Sequence, residues 1–157
     1  MPSTKELLSL NLCSWLNKYL LSKYSGKYAV EVFIPQTYIS KLPNKEIKLI
    51  PNSSSFEFKP DVLGILTSKE QPDDIKLVFI NRSVNALSLK EIGEVLCYAK
   101  IAQPVEAFLI SPKALANEVN LILLDSMKQQ KVLQFDKSKM LFIGKYANED
   151  VEIIFPR

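Results

Sequence analysis

Apolar residues recur at helical spacing in two stretches of the chain, and a start signal predicts a third helix. In residues 3–23 they return every three or four positions, which predicts an amphipathic helix that ends at Ser25-Gly26. A second helix is predicted over 88–102, because Ser88 and Glu91 have the spacing of a capping box. Ser111-Pro112 has the form of an N-cap followed by a first-turn proline, which predicts a third helix to about residue 126.

Other stretches alternate or are continuously apolar, as strands are. The nearly continuous apolar run 75–80 is typical of a strand that is covered on both faces. In the tail, 147–150 is expected to join the last two strands as a hairpin. The predicted strands are 28–34, 56–66, 75–80, 106–110, 132–135, 139–146 and 151–155.

Residues 36–55 are the least regular part of the sequence, with two prolines and three consecutive serines. They predict a long hairpin or flap with a mobile tip. A solvated loop and a functional lid are both compatible with this composition.

The order of these elements predicts one α/β domain over residues 1–157. A helix, three strands, a helix, a strand and a further helix imply a mixed central sheet flanked by helices, and a small C-terminal β-hairpin follows. At 157 residues the chain is long enough to bury one core.

Composition narrows the location and the chemistry. No apolar run approaches the ~18 residues of a membrane span, and polar residues interrupt the N-terminus where a secretory signal would be apolar. We therefore expect a soluble protein of the cytoplasm with no membrane partner. The net charge of +3 is compatible with a local nucleic-acid-binding patch but does not imply one. The oligomeric state stays open, a homodimer included.

The chain contains no histidine, which excludes catalytic relays built on that residue. Cys13 and Cys97 are too few for a zinc site and are expected to be buried free thiols. The four glycines are scattered, so no glycine-rich phosphate loop is present. Chemistry therefore has to come from carboxylates, lysines, hydroxyls or a metal ion held by oxygen ligands.

Asp61 is the candidate for such chemistry, because it follows Pro60 within the predicted strand 56–66. It is either a structural residue at a bend or a rigidly held oxygen ligand for a cation. The next strand leads into Asn81, Arg82 and Ser83. Neighbouring strands would bring this turn, residues 81–86, close to Asp61, where a hard cation could activate a water.

This region resembles the PD-(D/E)XK, or restriction-endonuclease-like, nuclease superfamily, in particular members from archaea and their viruses. The resemblance lies in Pro60-Asp61 with its strand, the apolar strand after it, the helix 88–99 and the closing strand 107–111. It implies a restriction-endonuclease-like fold and a Mg²⁺- or Mn²⁺-dependent endonuclease that hydrolyses double-stranded, linear DNA. For viral members it implies the cytoplasm of the host cell.

The resemblance assigns Asp61 as the first carboxylate and metal ligand. The family's second carboxylate and its lysine fall on Asn81 and Ser83. Asn81 still offers a neutral carbonyl oxygen, but Ser83 supplies no positive charge. A divalent ion would therefore bind weakly.

Three explanations of this departure stay open. A carboxylate can come from the second helix, where Glu91, Glu94 and Tyr98 share a flank. Ala86, in the turn before the helix cap, can stand where the natural chain carries an acidic catalytic residue. Alternatively nothing completes the site, and the protein only binds nucleic acid or serves as a scaffold.

Basic residues supply candidate DNA contacts. Lys48, Lys59 and Arg82 lie nearest to the predicted site in the sequence. Five further lysines lie between Met127 and Lys145 against a single aspartate. Each phosphate contact would add about one unit to the salt dependence of DNA binding.

Overall fold

A computed structural model describes residues 2–157 of the chain. The first helix begins at the N-cap Ser3, whose hydroxyl oxygen accepts the backbone N–H of Glu6. The helices are α1 (Thr4–Tyr24), α2 (Lys45–Lys48), α3 (Leu89–Ala102), α4 (Asn117–Leu123) and α5 (Ser126–Leu133), with 3-10 turns at Ile39–Lys41 and Ser53–Ser55.

Six strands form the central sheet in the order β1-β2-β3-β4-β7-β8. The pairs β1–β2, β2–β3 and β7–β8 are antiparallel, whereas β4 runs parallel to both of its neighbours. A separate two-stranded ribbon pairs β5 with β6. The strands are β1 (Tyr28–Phe33), β2 (Val62–Ser68), β3 (Ile75–Arg82), β4 (Glu106–Ser111), β5 (Gln134–Asp136), β6 (Lys139–Met140), β7 (Phe142–Ala147) and β8 (Asp150–Phe155).

Apolar side chains on the two faces of the sheet belong to two separate cores. Helix α1 packs on one face, where the absence of a side chain at Gly64 admits Leu20; a Cβ atom there would lie 2.7 Å from Leu20 Cδ1. Helix α3, the segment 39–58 and the C-terminal helices pack on the other face. The predicted mixed sheet with helices on both faces and a C-terminal hairpin is confirmed.

The hairpin predicted for residues 36–55 is wrong. The segment forms short helical turns that bury Ile39, Leu42 and Ile47 against the core. The strand predicted to begin at Phe56 instead begins at Val62. Pro60 has no N–H for a ladder. The Phe56 and Phe58 carbonyls accept N–H groups of Ser40 and Ile39, both at 3.0 Å, instead of pairing with a strand.

Two predictions near the C-terminus are also wrong in detail. Ser111 is the last residue of β4 and pairs with Lys145, so it caps no helix; α4 begins six residues later. The chain at 132–133 belongs to α5, whose N-cap is Asp125. Both cysteines are free, but neither is buried as predicted: Cys13 is half-buried and Cys97 is exposed.

Candidate functional site

Asp61 lies at a bend immediately before β2. Its backbone N–H donates to the carbonyl of Ile80 at 3.0 Å, and the next residue, Val62, pairs with Ile80 in the sheet. Asp61 and Asn81 are therefore each one residue beyond the last pair of the β2–β3 ladder, although Asn81 still pairs with Leu109 of β4. The chain geometry that the sequence predicted, with Asp61 beside the end of the next strand, is present.

The carboxylate of Asp61 points toward the end of β3. Its Oδ2 accepts the backbone N–H of Arg82 at 2.8 Å, and its Oδ1 lies 3.7 Å from Arg82 Nη1. Within residues 2–157, Oδ1 accepts no hydrogen bond, and the side chain is 23% exposed. One oxygen thus fixes the end of the sheet, and the other lies in the ion pair with Arg82 and accepts no hydrogen bond.

Arg82 is held from its other side by helix α1. Its Nε donates to Ser9 Oγ at 2.8 Å, and Ser9 is almost fully buried. Strand alternation explains this contact, because Arg82 follows Val78 and Ile80 on the face that α1 covers. Ser9 is a site residue that the sequence did not predict. The available signal was a serine next to Leu8 on the buried stripe of α1.

Opposing effects act on the pKa of Asp61. Burial raises it, the hydrogen bond and charge of Arg82 and the charge of Lys59 lower it, and the charge of Glu94 raises it again. The net result is a pKa above the ordinary value of an aspartate. Burial therefore disfavours the carboxylate anion here, and a bound cation would stabilise it.

A cleft of about 500 Å³ opens beside Asp61. It lies between the N-terminal half of α1, the residues that follow β1 and the segment that precedes β2. Lys59 and Arg82 line it together with Asp61, and Glu6 is a second carboxylate on its wall. Lys48 lies elsewhere, in a groove among the helical turns of residues 40–54.

Asn81 carries a buried oxygen with no partner. Among the residues that the structure describes, none donates a hydrogen bond to Asn81 Oδ1. The alternation of β3 places Asn81 on the face of Leu77 and Phe79, which α3 covers. A buried acceptor without a donor is costly, and a cation is one partner that would satisfy it.

The rest of the predicted turn has a structural role. Ser83 Oγ accepts the backbone N–H of Asn85 at 3.1 Å, and Ser83 N–H donates to Ile110 at 3.1 Å. Half-buried Ala86 comes next, before Leu87, whose N–H donates to Ala114 at 2.8 Å. The turn is therefore fixed on both sides of Ala86. A longer side chain at that position would project from a rigid backbone.

The two glutamates on the acidic flank of α3, Glu91 and Glu94, have different roles. Glu91 Oε1 accepts both the N–H and the hydroxyl of Ser88 at 3.1 Å, so it caps the helix. Glu94 accepts the hydroxyl of Tyr98 at 3.0 Å, and the Tyr98 ring stacks on Phe58 at 4.4 Å. Only Glu94 is close enough for its charge to affect Asp61.

The donors at this site suit a weakly held magnesium-like ion. In residues 2–157 no three His, Cys, Asp or Glu side chains are grouped as a ready metal cage. Asp61 Oδ1 and the unpartnered Asn81 Oδ1 are nevertheless hard oxygen donors. Mg²⁺ commonly binds through one or two carboxylates and keeps several waters until substrate phosphate joins them. The Asp61 carboxylate on the cleft wall fits an ion bound in that manner.

Similarity to known proteins was found in the comparison with solved structures. No protein-family model and no curated protein matches the chain. A structure described as the MspJI restriction endonuclease in complex with a 27-mer oligonucleotide is similar, with a TM-score of 0.44 and 9% sequence identity. The match covers 90% of this chain and 26% of that chain, so this chain spans about a quarter of that endonuclease's length. None of the helices described in residues 2–157 is both long and apolar enough to cross a bilayer.

Proposed function

We propose that the protein is a metal-dependent nuclease that hydrolyses a phosphodiester bond of double-stranded, linear DNA at the Asp61 cleft. One observation supports this proposal above the others. A carboxylate whose charged form is disfavoured by burial lies at the cleft wall, with one oxygen free of hydrogen bonds and two basic side chains beside it.

The chain's own residues divide the work as follows. Asp61 Oδ1 and Asn81 Oδ1 hold the cation, with Mg²⁺ or Mn²⁺ as the ion. Bound there, the ion supplies Lewis acidity and lowers the pKa of a coordinated water. Arg82 and Lys59 bind the DNA phosphates along the cleft, and Ser9 holds the Arg82 guanidinium in place.

Position 86 is part of this proposal. The donor set holds one aspartate and a neutral amide, and a second carboxylate would strengthen its binding of a divalent ion by raising the charge of the ligands. Ala86 lies on a fixed backbone two residues before the cap of α3. We propose that the natural chain carries an acidic residue here, so that this chain binds DNA and cuts it slowly. A natural alanine at position 86 would contradict this part.

The ion pair at the site favours a second function, nucleic-acid binding without cleavage. Arg82 supplies both a hydrogen bond and a positive charge to Asp61. The carboxylate is therefore compensated even without a metal ion. In that case Arg82 and Lys59 would still bind phosphate, and binding would weaken steeply with salt.

Linear duplex DNA incubated with Mg²⁺ or Mn²⁺ separates these functions. Asp61→Asn is the sharpest variant, because it removes the charge and keeps an oxygen for the Arg82 N–H. Asp73→Asn is its matched control, an exposed aspartate in the turn at the opposite end of β2 and β3. Cleavage abolished by the first substitution and unaffected by the second supports the nuclease. Salt-sensitive binding without cleavage, in a chain with an acidic residue restored at position 86, supports the binding protein. A protein that neither cuts nor binds DNA would be a scaffold.

A further inference from the structure

A second groove, of about 520 Å³, runs along the outer side of α1. The helix forms one wall, and the tip of the β7–β8 hairpin forms the other. Three aromatic side chains line it: Trp15 and Tyr19 from the helix and Tyr146 from β7. Nothing in the proposed nuclease reaction uses these residues.

The aromatic wall is rigidly supported from beneath. Trp15 and Tyr19 stack with ring centres 5.1 Å apart and planes 19° apart. Both rings also meet Phe108 nearly perpendicularly, at 5.4 and 5.6 Å. The Tyr19 hydroxyl donates to the buried carboxylate of Glu106 at 2.6 Å, which fixes the ring. A platform held this firmly loses little freedom when a flat ligand stacks on it.

Charges on the two walls of the groove have opposite signs. Lys18 lies on the helix side, whereas Glu149 and Asp150 lie at the hairpin tip. The lysine can bind a phosphate, but the two carboxylates repel one. Carboxylates instead accept hydrogen bonds from an exocyclic amine, such as N4 of cytosine or N6 of adenine. Thymine offers no such amine.

We infer that this groove binds an unpaired nucleobase that carries an exocyclic amine, with its ring stacked on the Trp15 wall and its phosphate beside Lys18. Stacking on aromatic side chains is the common way in which proteins hold single-stranded nucleic acid. Asn11, Ser14 and Ser22 add further polar groups along the helix side of the groove.

The position of the groove relates it to the Asp61 cleft. Helix α1 lines both, with Glu6, Ser9 and Leu10 at the cleft and residues 11–22 at the groove. The centres of these two sets are separated along the helix by about 12 Å, from a rise of 1.5 Å per residue. That length is about three or four nucleotides of a stacked strand. This part of the inference rests on the proposed function, because it takes DNA as the polymer.

The single tryptophan of the chain makes the groove directly observable, since Trp15 is the only source of indole fluorescence. We would titrate the full chain, in EDTA, with oligo(dA), oligo(dC) and oligo(dT). Saturable quenching by the first two and weaker quenching by oligo(dT) is the expected result. Oligo(rA) presents the same base on ribose. Quenching by either oligo(dA) or oligo(rA) supports a base site, and the oligonucleotide that binds more tightly shows whether the site prefers DNA or RNA.

Groove variants test whether the quenching comes from the proposed contacts. Tyr146→Ala should weaken oligo(dA) binding about tenfold, the loss expected for one stacking partner. Because that change also removes packing, Lys18→Ala provides a second test at an exposed position. It should weaken binding several-fold and lower the salt slope by about one. Lys5→Ala, at an exposed position on the same helix but outside the groove, should change neither quantity.

Three outcomes would overturn the inference. One is Trp15 fluorescence that no oligonucleotide changes while duplex DNA still binds and is cut, which leaves the proposed nuclease intact. The second is equal quenching by oligo(dT), which contradicts amine recognition. The third is unaltered quenching in both Tyr146→Ala and Lys18→Ala. Saturable, base-dependent quenching in a protein that cuts no DNA would instead support the groove and contradict the nuclease.

Discussion

The carboxylate of Asp61 accepts the backbone N–H of Arg82 at 2.8 Å and leaves its second oxygen 3.7 Å from the same residue's guanidinium. This arrangement joins the start of β2 to the end of β3. It also affects the charge of the Asp61 carboxylate, which is the proposed ligand of the metal ion. A structural role and the proposed catalytic role therefore belong to one side chain, and substitutions can separate them.

Asp61→Ala should lower the free energy of unfolding by about 1–3 kcal/mol, because it leaves the Arg82 N–H without its acceptor. Asp61→Asn should cost less, since the amide oxygen can accept the same hydrogen bond. Urea unfolding of the two variants and the parent chain measures both values. Equal losses in the two variants would show that the carboxylate charge, rather than the hydrogen bond, stabilises the fold.

The raised pKa of Asp61 predicts a specific pH dependence of stability. The folded protein holds the Asp61 proton more tightly than the unfolded chain does. Protonated Asp61 therefore stabilises the fold, fully so at a pH below the pKa that Asp61 has in the unfolded chain. That contribution is lost as the pH rises through the folded pKa. In metal-free buffer, the free energy of unfolding of the parent chain should therefore fall relative to Asp61→Asn from pH 3.8 upward. A parent chain that gains stability over this range relative to the variant would show a lowered pKa instead.

Ser9→Ala tests the support of Arg82 by helix α1. Loss of the 2.8 Å hydrogen bond to Arg82 Nε frees the guanidinium. We expect the affinity for a short DNA duplex to fall about threefold to tenfold, in line with one charge-assisted hydrogen bond worth roughly 1 kcal/mol after water replaces it. Fluorescence anisotropy in EDTA measures the affinity. Ser54→Ala, at an exposed serine far along the chain, is the control and should bind as the parent does.

Elements with strong local signals were predictable from the sequence. The capping residues Ser3 and Ser88 mark the beginnings of α1 and α3, and the run at Leu77–Ile80 is a buried central strand. Segment 36–55 was not predictable, because its helical turns are too short to show a period. Burial of Ile39 and Ile47 against the core stabilises these turns, which is a long-range effect.

The candidate site shows the same division. Asp61 stood out because it follows a proline and precedes an apolar strand, and its closeness to Arg82 followed from the pairing of neighbouring strands. The contact of Ser9 with Arg82 joins residues 73 positions apart; the local pattern indicates at most that Ser9 lies on the buried stripe of α1 and does not identify its partner. The Asn81 side-chain oxygen likewise could not be predicted to lack a partner, because this depends on which donors the packed core places near it.

Glu106→Gln should lower the free energy of unfolding, because Glu106 holds three side chains of α1. The carboxylate is 5% exposed and accepts the hydroxyls of Tyr19 and Tyr24, both at 2.6 Å, while Lys23 lies at 3.1 Å. Burial, and then the bond to Glu106, raises the pKa of both tyrosines, which therefore stay protonated donors at neutral pH. Loss of the charge weakens two charge-assisted hydrogen bonds, with an expected cost of about 2–3 kcal/mol. Thermal unfolding checks this value, and an unchanged midpoint would contradict it.

Ala86→Glu should convert a weak site into a tighter one. In the proposed metal site, a carboxylate on the fixed turn before α3 supplies the second charged ligand, and each added carboxylate strengthens the binding of a hard divalent ion. We expect Mg²⁺ affinity, measured by calorimetry, to rise at least about tenfold, and cleavage of linear duplex DNA to rise with it. Ala86→Gln is the matched control, because it has nearly the same shape and no charge. If both variants bind Mg²⁺ equally and neither cuts faster than the parent chain, position 86 has no role in the metal site.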